Sequence, residues 1–125
     1  TLYAAFSGNR HLFGLPGNPL SALTSFHEFA LPAIRRLAGC PSGECRPGWP
    51  LPLRAPVARE PGFRRCALAR IVQSGGVLQA SPVPFRSSAD LAAAALADGV
   101  VLAPPGAGEL EAGTVVTFRA WRPLP

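Results

Sequence analysis

The sequence predicts an α+β chain in which a hairpin and one kinked helix precede a small, β-rich, barrel-like domain. Three observations support this fold class: apolar strand-like runs within residues 2 to 15, a helical apolar period over 19 to 38, and short β-type runs with Gly or Pro turns after residue 50. Apolar residues make up 48% of the 125-residue chain, a globular content. The chain is long enough to bury one modest core or two small ones.

The first predicted element is a hairpin. Leu2–Phe6 and His11–Leu15 are apolar runs typical of strands, and the tetrapeptide Ser7-Gly8-Asn9-Arg10 between them is rich in turn residues. The second run leads directly into a segment that contains two prolines.

That segment predicts a sharp strand-to-helix junction. Pro19 disfavours helical backbone for Asn18 but itself suits a first helical position, so Asn18 is the predicted N-cap. Gly17 lacks a side chain, so backbone amides there and in the first helical turn can face an anion, and Ser21 adds a hydroxyl to that turn. The residues predict an anion or phosphate site over 16 to 21, although a purely architectural corner would use the same residues.

The helix is predicted to run from Pro19 to Ala38 with an interruption. Pro32 lacks the N–H that would bond to Glu28, so we expect a kink or restart near Leu31. Gly39 then ends the helix.

Residues 40–50 are rich in Pro and Gly and mark the clearest boundary in the chain. The sequence therefore predicts an α/β part over 1–39, a linker over 40–50 and a β-rich domain over 51–125. Predicted strands in the last part are Leu51–Ala58, Arg64–Val72, Val77–Val83, Val100–Ala103 and Thr114–Trp121. One Ala-rich helix is predicted at Ser88–Ala97, with Ser88 as its N-cap.

Composition excludes several classes of partner. The net charge is +5, all 12 basic residues are arginine, and they are scattered rather than arranged as a stripe for nucleic acid. No apolar run is long enough to span a bilayer and the first residues do not resemble a signal peptide, so we expect a soluble, cytoplasmic protein with no membrane partner. The chain starts at Thr1 with strand-like residues, and we expect it to be the tail of a longer protein.

The reactive side chains do not form a recognisable catalytic set. Cys40, Cys45 and Cys66 have no zinc-type spacing, so free thiols are expected, with a Cys40–Cys45 disulfide only in an oxidising compartment. His11 and His27 have no nucleophile arranged beside them. The seven carboxylates are dispersed, and no pair indicates acid–base work or a magnesium cage.

The string Gly14-Leu15-Pro16-Gly17-Asn18-Pro19, followed by a helix of small residues ending with Pro32, Leu37 and Gly39, resembles the closing segment of the molybdopterin-binding domain in molybdopterin molybdotransferases. The E domain of gephyrin belongs to the same family. The resemblance implies the C-terminal portion of an enzyme that uses magnesium to insert molybdate into adenylylated molybdopterin and releases AMP. The isolated chain, without the acidic metal ligands and most of the pterin pocket, is then expected to be inactive.

The resemblance also implies where substrate binds. Residues carried over to the pocket for molybdopterin and molybdate are Pro16, Gly17, Asn18, Pro19, Ser21 and Ser88. Ser88 matches the serine of a Gln-Gly-Ser motif in which Arg86 and Ser87 replace the first two residues. No residue of this chain is assigned as a catalytic group or metal ligand. The family likeness further implies a homodimer in which the last domain closes the cleft of the opposite subunit.

A further interpretation concerns two arginines of the second domain. Arg65 and Arg70 resemble an arginine pair on a strand of the family's last domain. Two roles compete for Arg70, binding of an anionic substrate and pairing with an acidic neighbour such as Asp98, and we expect the structural role.

An alternative function is a non-catalytic module of the same family for dimerisation or partner binding. A partner groove would expose Trp49, Phe85 or Trp121 as a patch, whereas a plain enzyme terminus would bury them.

Overall fold

A computed structural model of the chain describes residues 1–87 and 89–124. They form two compact units. The first is Thr1–Pro47 with Ser87–Asp90, and the second is Gly48–Arg86 with Leu91–Pro125.

The first unit opens with an antiparallel hairpin of β1 (Leu2–Phe6) and β2 (Arg10–Gly14). The turn between them contains two left-handed residues, Gly8 at φ 75° and Asn9 at φ 56°. Because the tight turn uses only Ser7 to Asn9, β2 begins one residue earlier than the predicted His11. β2 also ends at Gly14, one residue before the predicted Leu15, and the hairpin itself is confirmed.

The helical segment follows as α1 (Pro19–Ser25), a π-helical segment (Phe26–Ala30) and α2 (Leu31–Leu37). The amide of Leu31 bonds to the carbonyl of Phe26, one residue further back than in an α-helix. This wider turn accommodates Pro32, which has no amide hydrogen to donate and a ring that would crowd an α-helical turn. The predicted restart near Leu31 is therefore confirmed, and the π-helical segment is its structural form.

The second unit is mostly β-structure. Its elements are β3 (Trp49–Pro52), β4 (Val57–Ala58), β5 (Arg65–Ser74), β6 (Val77–Pro82), α3 (Leu91–Leu96), β7 (Gly99–Ala103), β8 (Glu109–Leu110) and β9 (Val115–Ala120). Five strands form one antiparallel sheet in the order β3-β9-β7-β5-β6, and β4 pairs with β8.

The sheet curls so that its two edges approach each other. Leu53, just after β3, forms a parallel bridge with Ala80 of β6, and the amide of Arg54 donates to the carbonyl of Ala80 at 2.9 Å. The result is a half-barrel, which agrees with the barrel-like domain expected from the sequence.

The concave side of the half-barrel holds the core. Its largest fully buried side chains are Phe118, Leu53 and Val101, whereas the equally buried Val100 alternates to the opposite face of β7. Completely buried alanines, among them Ala69 and Ala80, leave room for these side chains and allow the curled strands to pack closely.

Two sequence predictions for this unit need correction. The predicted strand Leu51–Ala58 is divided into β3 and β4, because the bend at residues 54 and 55, followed by Pro56, interrupts regular pairing. The helix α3 begins at Leu91, later than predicted, and Ser88, its predicted N-cap, lies outside the described residues. In the described part of the chain, no helix has the length and apolar character needed to cross a bilayer.

Candidate functional site

The structure forms the predicted corner where β2 ends and α1 begins. Asn18 has extended backbone, with φ −74° and ψ 127°, and Pro19 occupies the first helical turn. The carbonyl of Asn18 accepts the first helical hydrogen bond from the amide of Ala22 at 2.8 Å. The backbone role predicted for Asn18 as the N-cap residue is thus confirmed.

The side chain of Asn18 does not complete the predicted cap. It makes no capping hydrogen bond to the helix. The extended backbone at Asn18 and the proline in the first turn mark the start of the helix.

The corner is open to solvent on one side and packed on the other. Gly17 and Pro19 are exposed, Pro16, Asn18 and Ser21 are half-buried, and the neighbouring Leu20 is buried. A Cβ built on Gly17 would meet no atom within 4 Å. The amides of Leu20 and Ser21 precede the first helical hydrogen bond, so they lack acceptors within the helix. This arrangement can receive a negatively charged solute.

Ser88 is the remaining residue that the family resemblance assigns to the pocket. Ser88 lies outside the described residues, so its assignment stays a prediction. Around it, the Ser87 carbonyl accepts the amide of Asp90 at 3.0 Å, and the Ser87 hydroxyl oxygen accepts the amide of Ala89 at 3.3 Å. These contacts describe a local turn.

The predicted pairing of Arg70 with Asp98 is wrong. Asp98 instead lies 3.6 Å from Nε of Arg122 and accepts the backbone amide of Ile71 at 2.8 Å. Arg70 is exposed on β5, and nearby Arg65 donates to the carbonyl of Ala58 at 3.1 Å.

The first unit also contains a cavity of about 480 Å³ that sequence reasoning missed. Aromatic and cationic side chains dominate its lining: Tyr3, His11, Phe13, Phe29, Arg36 and Arg46. None of residues 16 to 21 lines it, so the structure does not bring the predicted corner and this cavity together. The alternation of Tyr3, His11 and Phe13 on paired strands was the available sequence signal.

A short chain of side chains crosses the hairpin at this cavity. The hydroxyl of Tyr3 and Nδ1 of His11 are 2.9 Å apart, and Nε2 of His11 is 3.1 Å from Oδ1 of Asn9. The rings of Tyr3 and His11 are stacked with centroids 6.0 Å apart. His11 therefore has a structural setting, and its neighbours supply no nucleophile.

The described residues do not fit a magnesium site. Among them, no group of three or more His, Cys, Asp or Glu side chains lies close enough to hold a metal ion. Magnesium prefers several oxygen ligands in near-octahedral geometry.

The aromatic residues named for the alternative function are partly exposed. Trp49 is 38% exposed and Phe85 is 40% exposed, while Trp121 is half-buried. Neither the full burial expected of a plain enzyme terminus nor a fully exposed patch is observed, so these side chains do not separate the two interpretations.

Two curated proteins resemble this chain in sequence. It is 28% identical over 116 residues to a molybdopterin molybdenumtransferase of Staphylococcus epidermidis, a match that covers 90% of this chain and 26% of that relative. It is 57% identical over 37 residues to the molybdenum cofactor synthesis protein cinnamon of Drosophila melanogaster, covering 30% of this chain and 6% of that protein. The chain thus spans about a quarter or less of the curated relatives it matches.

Solved structures share the fold. A MoeA protein of molybdopterin biosynthesis from Pyrococcus horikoshii superposes with a TM-score of 0.73 at 23% identity, covering 98% of this chain and 29% of that one. A molybdenum cofactor biosynthesis protein from Pyrococcus furiosus gives a TM-score of 0.63 at 19% identity over 84% of this chain and 36% of that one. The sequence profile of the MoeA C-terminal region, domain IV, matches residues 50–121. The chain therefore belongs to the MoeA C-terminal domain IV family, within the group of molybdenum cofactor biosynthesis proteins.

Proposed function

We propose that this chain is the C-terminal portion of a molybdopterin molybdotransferase, the enzyme that inserts molybdate into adenylylated molybdopterin and releases AMP. One observation carries the proposal: the likeness to the Staphylococcus epidermidis molybdopterin molybdenumtransferase runs through 90% of the chain and includes both units. A likeness restricted to the half-barrel would have supported only a shared domain.

The first unit supports the assignment of residues 1–39 to the end of an α/β molybdopterin-binding domain. A two-stranded hairpin is marginally stable by itself in water. Here both the hairpin and the helices expose large apolar side chains: Leu2, Phe6, Leu12, Phe29, Ile34 and Leu37. Such a surface fits a unit that packs against further strands and helices of the same enzyme. Residues 40–50 would then link it to the β-rich domain over 51–125.

In this proposal the corner over residues 16 to 21 forms one wall of the substrate pocket. The substrates carry phosphate groups and an oxyanion, so the pocket must favour negative charge. The open space beside Gly17 and the amides of Leu20 and Ser21 provide it. Pro16 and Pro19 hold the turn in shape. Ser88 joins this site only through the family motif.

The remaining parts of the proposal concern the intact enzyme. Magnesium, when bound, would neutralise phosphate charge from ligands outside this chain. The half-barrel would close the cleft of the opposite subunit in a cytoplasmic homodimer, which makes the domain necessary to catalysis without supplying a reacting group.

The first test is direct. The purified 125-residue chain, assayed alone with adenylylated molybdopterin, molybdate and magnesium, is expected to release no AMP above background. AMP release at the rate of a full-length transferase would contradict the assignment of the chain as a portion of the enzyme.

The second test addresses the corner in a chimera, in which this chain replaces the matching segment of the Staphylococcus epidermidis enzyme. Ser21→Asp places a negative charge in the first helical turn. This charge interacts favourably with the helix dipole, so the variant should keep its stability. It should nevertheless repel the anionic substrate and raise KM for adenylylated molybdopterin at least tenfold. The control Ser74→Asp adds the same charge at an exposed position of β5 in the other unit. Equal KM values for both variants would show that the corner is not part of the substrate site.

A further inference from the structure

The loop after α2 brings two cysteines together. Gly39, at φ 94°, ends the helix, and the amide of Cys40 bonds to the carbonyl of Arg35 at 2.9 Å. The amide of Glu44 then bonds to the carbonyl of Pro41 at 2.9 Å, closing a single 3₁₀ turn over Ser42–Glu44. This turn reverses the chain and returns Cys45 to the side of Cys40.

The two sulfur atoms converge on the same place. Sγ of Cys45 is 3.2 Å from the carbonyl oxygen of Pro41, and Sγ of Cys40 is 3.6 Å from that same oxygen. Sγ of Cys45 also lies 3.4 Å from the carbonyl oxygen of Cys40. Both residues are free thiols, with Cys45 buried and Cys40 half-buried. The site is therefore a pre-formed dithiol with one side open to solvent.

Charged groups of both signs surround the pair, and burial with the neighbouring Cys45 and Glu44 raises the pKa of the Cys40 thiol. Nη1 of Arg35 donates to the carbonyl of Cys45 at 3.2 Å, and Nη1 of Arg36 donates to the carbonyl of Cys40 at 3.3 Å. Two thiolates that hold a monovalent ion have a net charge of −1, which these guanidinium groups can balance. Glu44 is the acidic side chain within the same loop.

The ligand count decides the kind of ion. Structural zinc takes four ligands, but in the described residues no third His, Cys, Asp or Glu completes this pair. Soft thiolate sulfur selects copper(I). A monovalent d¹⁰ ion of this kind is satisfied by two sulfur ligands.

We propose that Cys40 and Cys45 form a two-sulfur binding site for a thiophilic monovalent ion of the copper(I) type. Binding forms two metal–sulfur bonds and releases the two thiol protons to solvent, with no electron transfer. The site lies within the first unit and uses these thiols, their loop and two arginines of α2, so it is independent of the molybdotransferase proposal.

The test uses the complete, fully reduced chain under anaerobic conditions. Copper(I) is titrated in competition with a chromophoric copper(I) chelator, and we expect one ion per chain with Cys40 and Cys45 protected from alkylation. Cys40→Ser and Cys45→Ser should each weaken binding at least 100-fold. Cys66→Ser is the matched control, because Cys66 lies on β5 in the second unit, and it should bind as the unaltered chain does.

Three outcomes would overturn the proposal: absence of binding by the folded chain, unchanged binding by Cys40→Ser, or loss of binding in Cys66→Ser. Circular dichroism establishes that each variant is folded. Should Cys45→Ser unfold because it places a hydroxyl in a buried position, Cys40→Ser decides the question, since its site is half-buried.

Discussion

Arg122 and Asp98 form an ion pair, with 3.6 Å between Nε and Oδ1, that joins the chain after β9 to the residue before β7. The other carboxylate oxygen of Asp98 accepts the amide of Ile71 on β5 at 2.8 Å. The Arg122 guanidinium also donates to the carbonyls of Ala95 and Ala97 at the end of α3. One carboxylate and one guanidinium therefore connect three strands and the helix of the half-barrel.

Asp98→Ala should destabilise the half-barrel by about 1–3 kcal/mol, because it removes the acceptor of a part-buried amide as well as the ion pair. Arg122→Ala should cost less, about 1 kcal/mol, since the guanidinium is half exposed and solvent weakens its pairing. Urea unfolding measures both. Glu111→Ala, at an exposed carboxylate, is the control and should change stability by no more than about 0.5 kcal/mol. Asp98→Ala with the stability of this control would contradict the bridging role.

Gly99→Ala should be among the most damaging small substitutions in the chain. A Cβ at Gly99 would lie 1.9 Å from the backbone carbonyl oxygen of Arg119, and neither strand can move without breaking the sheet. We expect a loss of at least about 3 kcal/mol, or failure to fold. Gly43→Ala makes the same chemical change where a Cβ meets nothing within 4 Å, and it should be tolerated. Similar thermal midpoints for the two variants would show that the close strand approach is wrong.

Asn18→Ala should cost little stability in this chain. The sequence predicts a loss of about 0.5–2 kcal/mol for an N-cap asparagine, but the structure shows no capping hydrogen bond from this side chain. We therefore expect a loss at the low end of that range, about 0.5 kcal/mol. Leu20→Ala, which empties a buried position beside the corner, should instead cost about 2–5 kcal/mol. Chemical denaturation measures the stability loss of both variants. A larger loss for Asn18→Ala than for Leu20→Ala would show that the Asn18 side chain caps the helix.

Acidification should destabilise the first unit through His27. Partial burial, reinforced by the positive charge of Arg35, lowers the pKa of His27 in the folded chain. Protons then bind the unfolded state more readily, so His27 makes no contribution above its ordinary pKa and destabilises the fold as the pH falls through it. Unfolding midpoints should decline between about pH 7.5 and 5.5, above the range where most carboxylates titrate.

His27→Gln removes this titration and should flatten the pH dependence. His11→Gln is the matched control, and its unfolding midpoint should still decline as the pH falls. An unchanged slope in His27→Gln would assign the effect to other groups.

Local backbone chemistry made part of this fold predictable. Pro32 cannot donate to Glu28, so a break near Leu31 follows from the covalent structure of proline, and the structure has a π-helical turn there. The paired prolines around Asn18 likewise determine the start of α1. Such features depend on neighbours in sequence and need no tertiary information.

Contacts between residues far apart in the sequence were harder to predict. Asp98 has twelve arginines as possible partners, and only the course of β9 selects Arg122 over Arg70. The closure of the half-barrel through Leu53 and Ala80 depends on sheet curvature, which no local pattern encodes.

The candidate sites divide in the same way. The open corner at residues 16 to 21 was visible in a run of Gly and Pro. By contrast, the dithiol of Cys40 and Cys45 required the 3₁₀ turn that reverses the chain between them.

The central claim, that the chain is the functional C-terminal portion of a molybdopterin molybdotransferase, is tested most directly by the unaltered chimera with the Staphylococcus epidermidis enzyme. The measurement is molybdate-dependent release of AMP from adenylylated molybdopterin, compared with the same enzyme lacking its C-terminal segment. We predict that the chimera releases AMP within about tenfold of the natural rate, a barrier difference below about 1.4 kcal/mol, whereas the truncated enzyme is silent. A chimera that folds with the thermal midpoint of the natural enzyme but releases no AMP would contradict the claim.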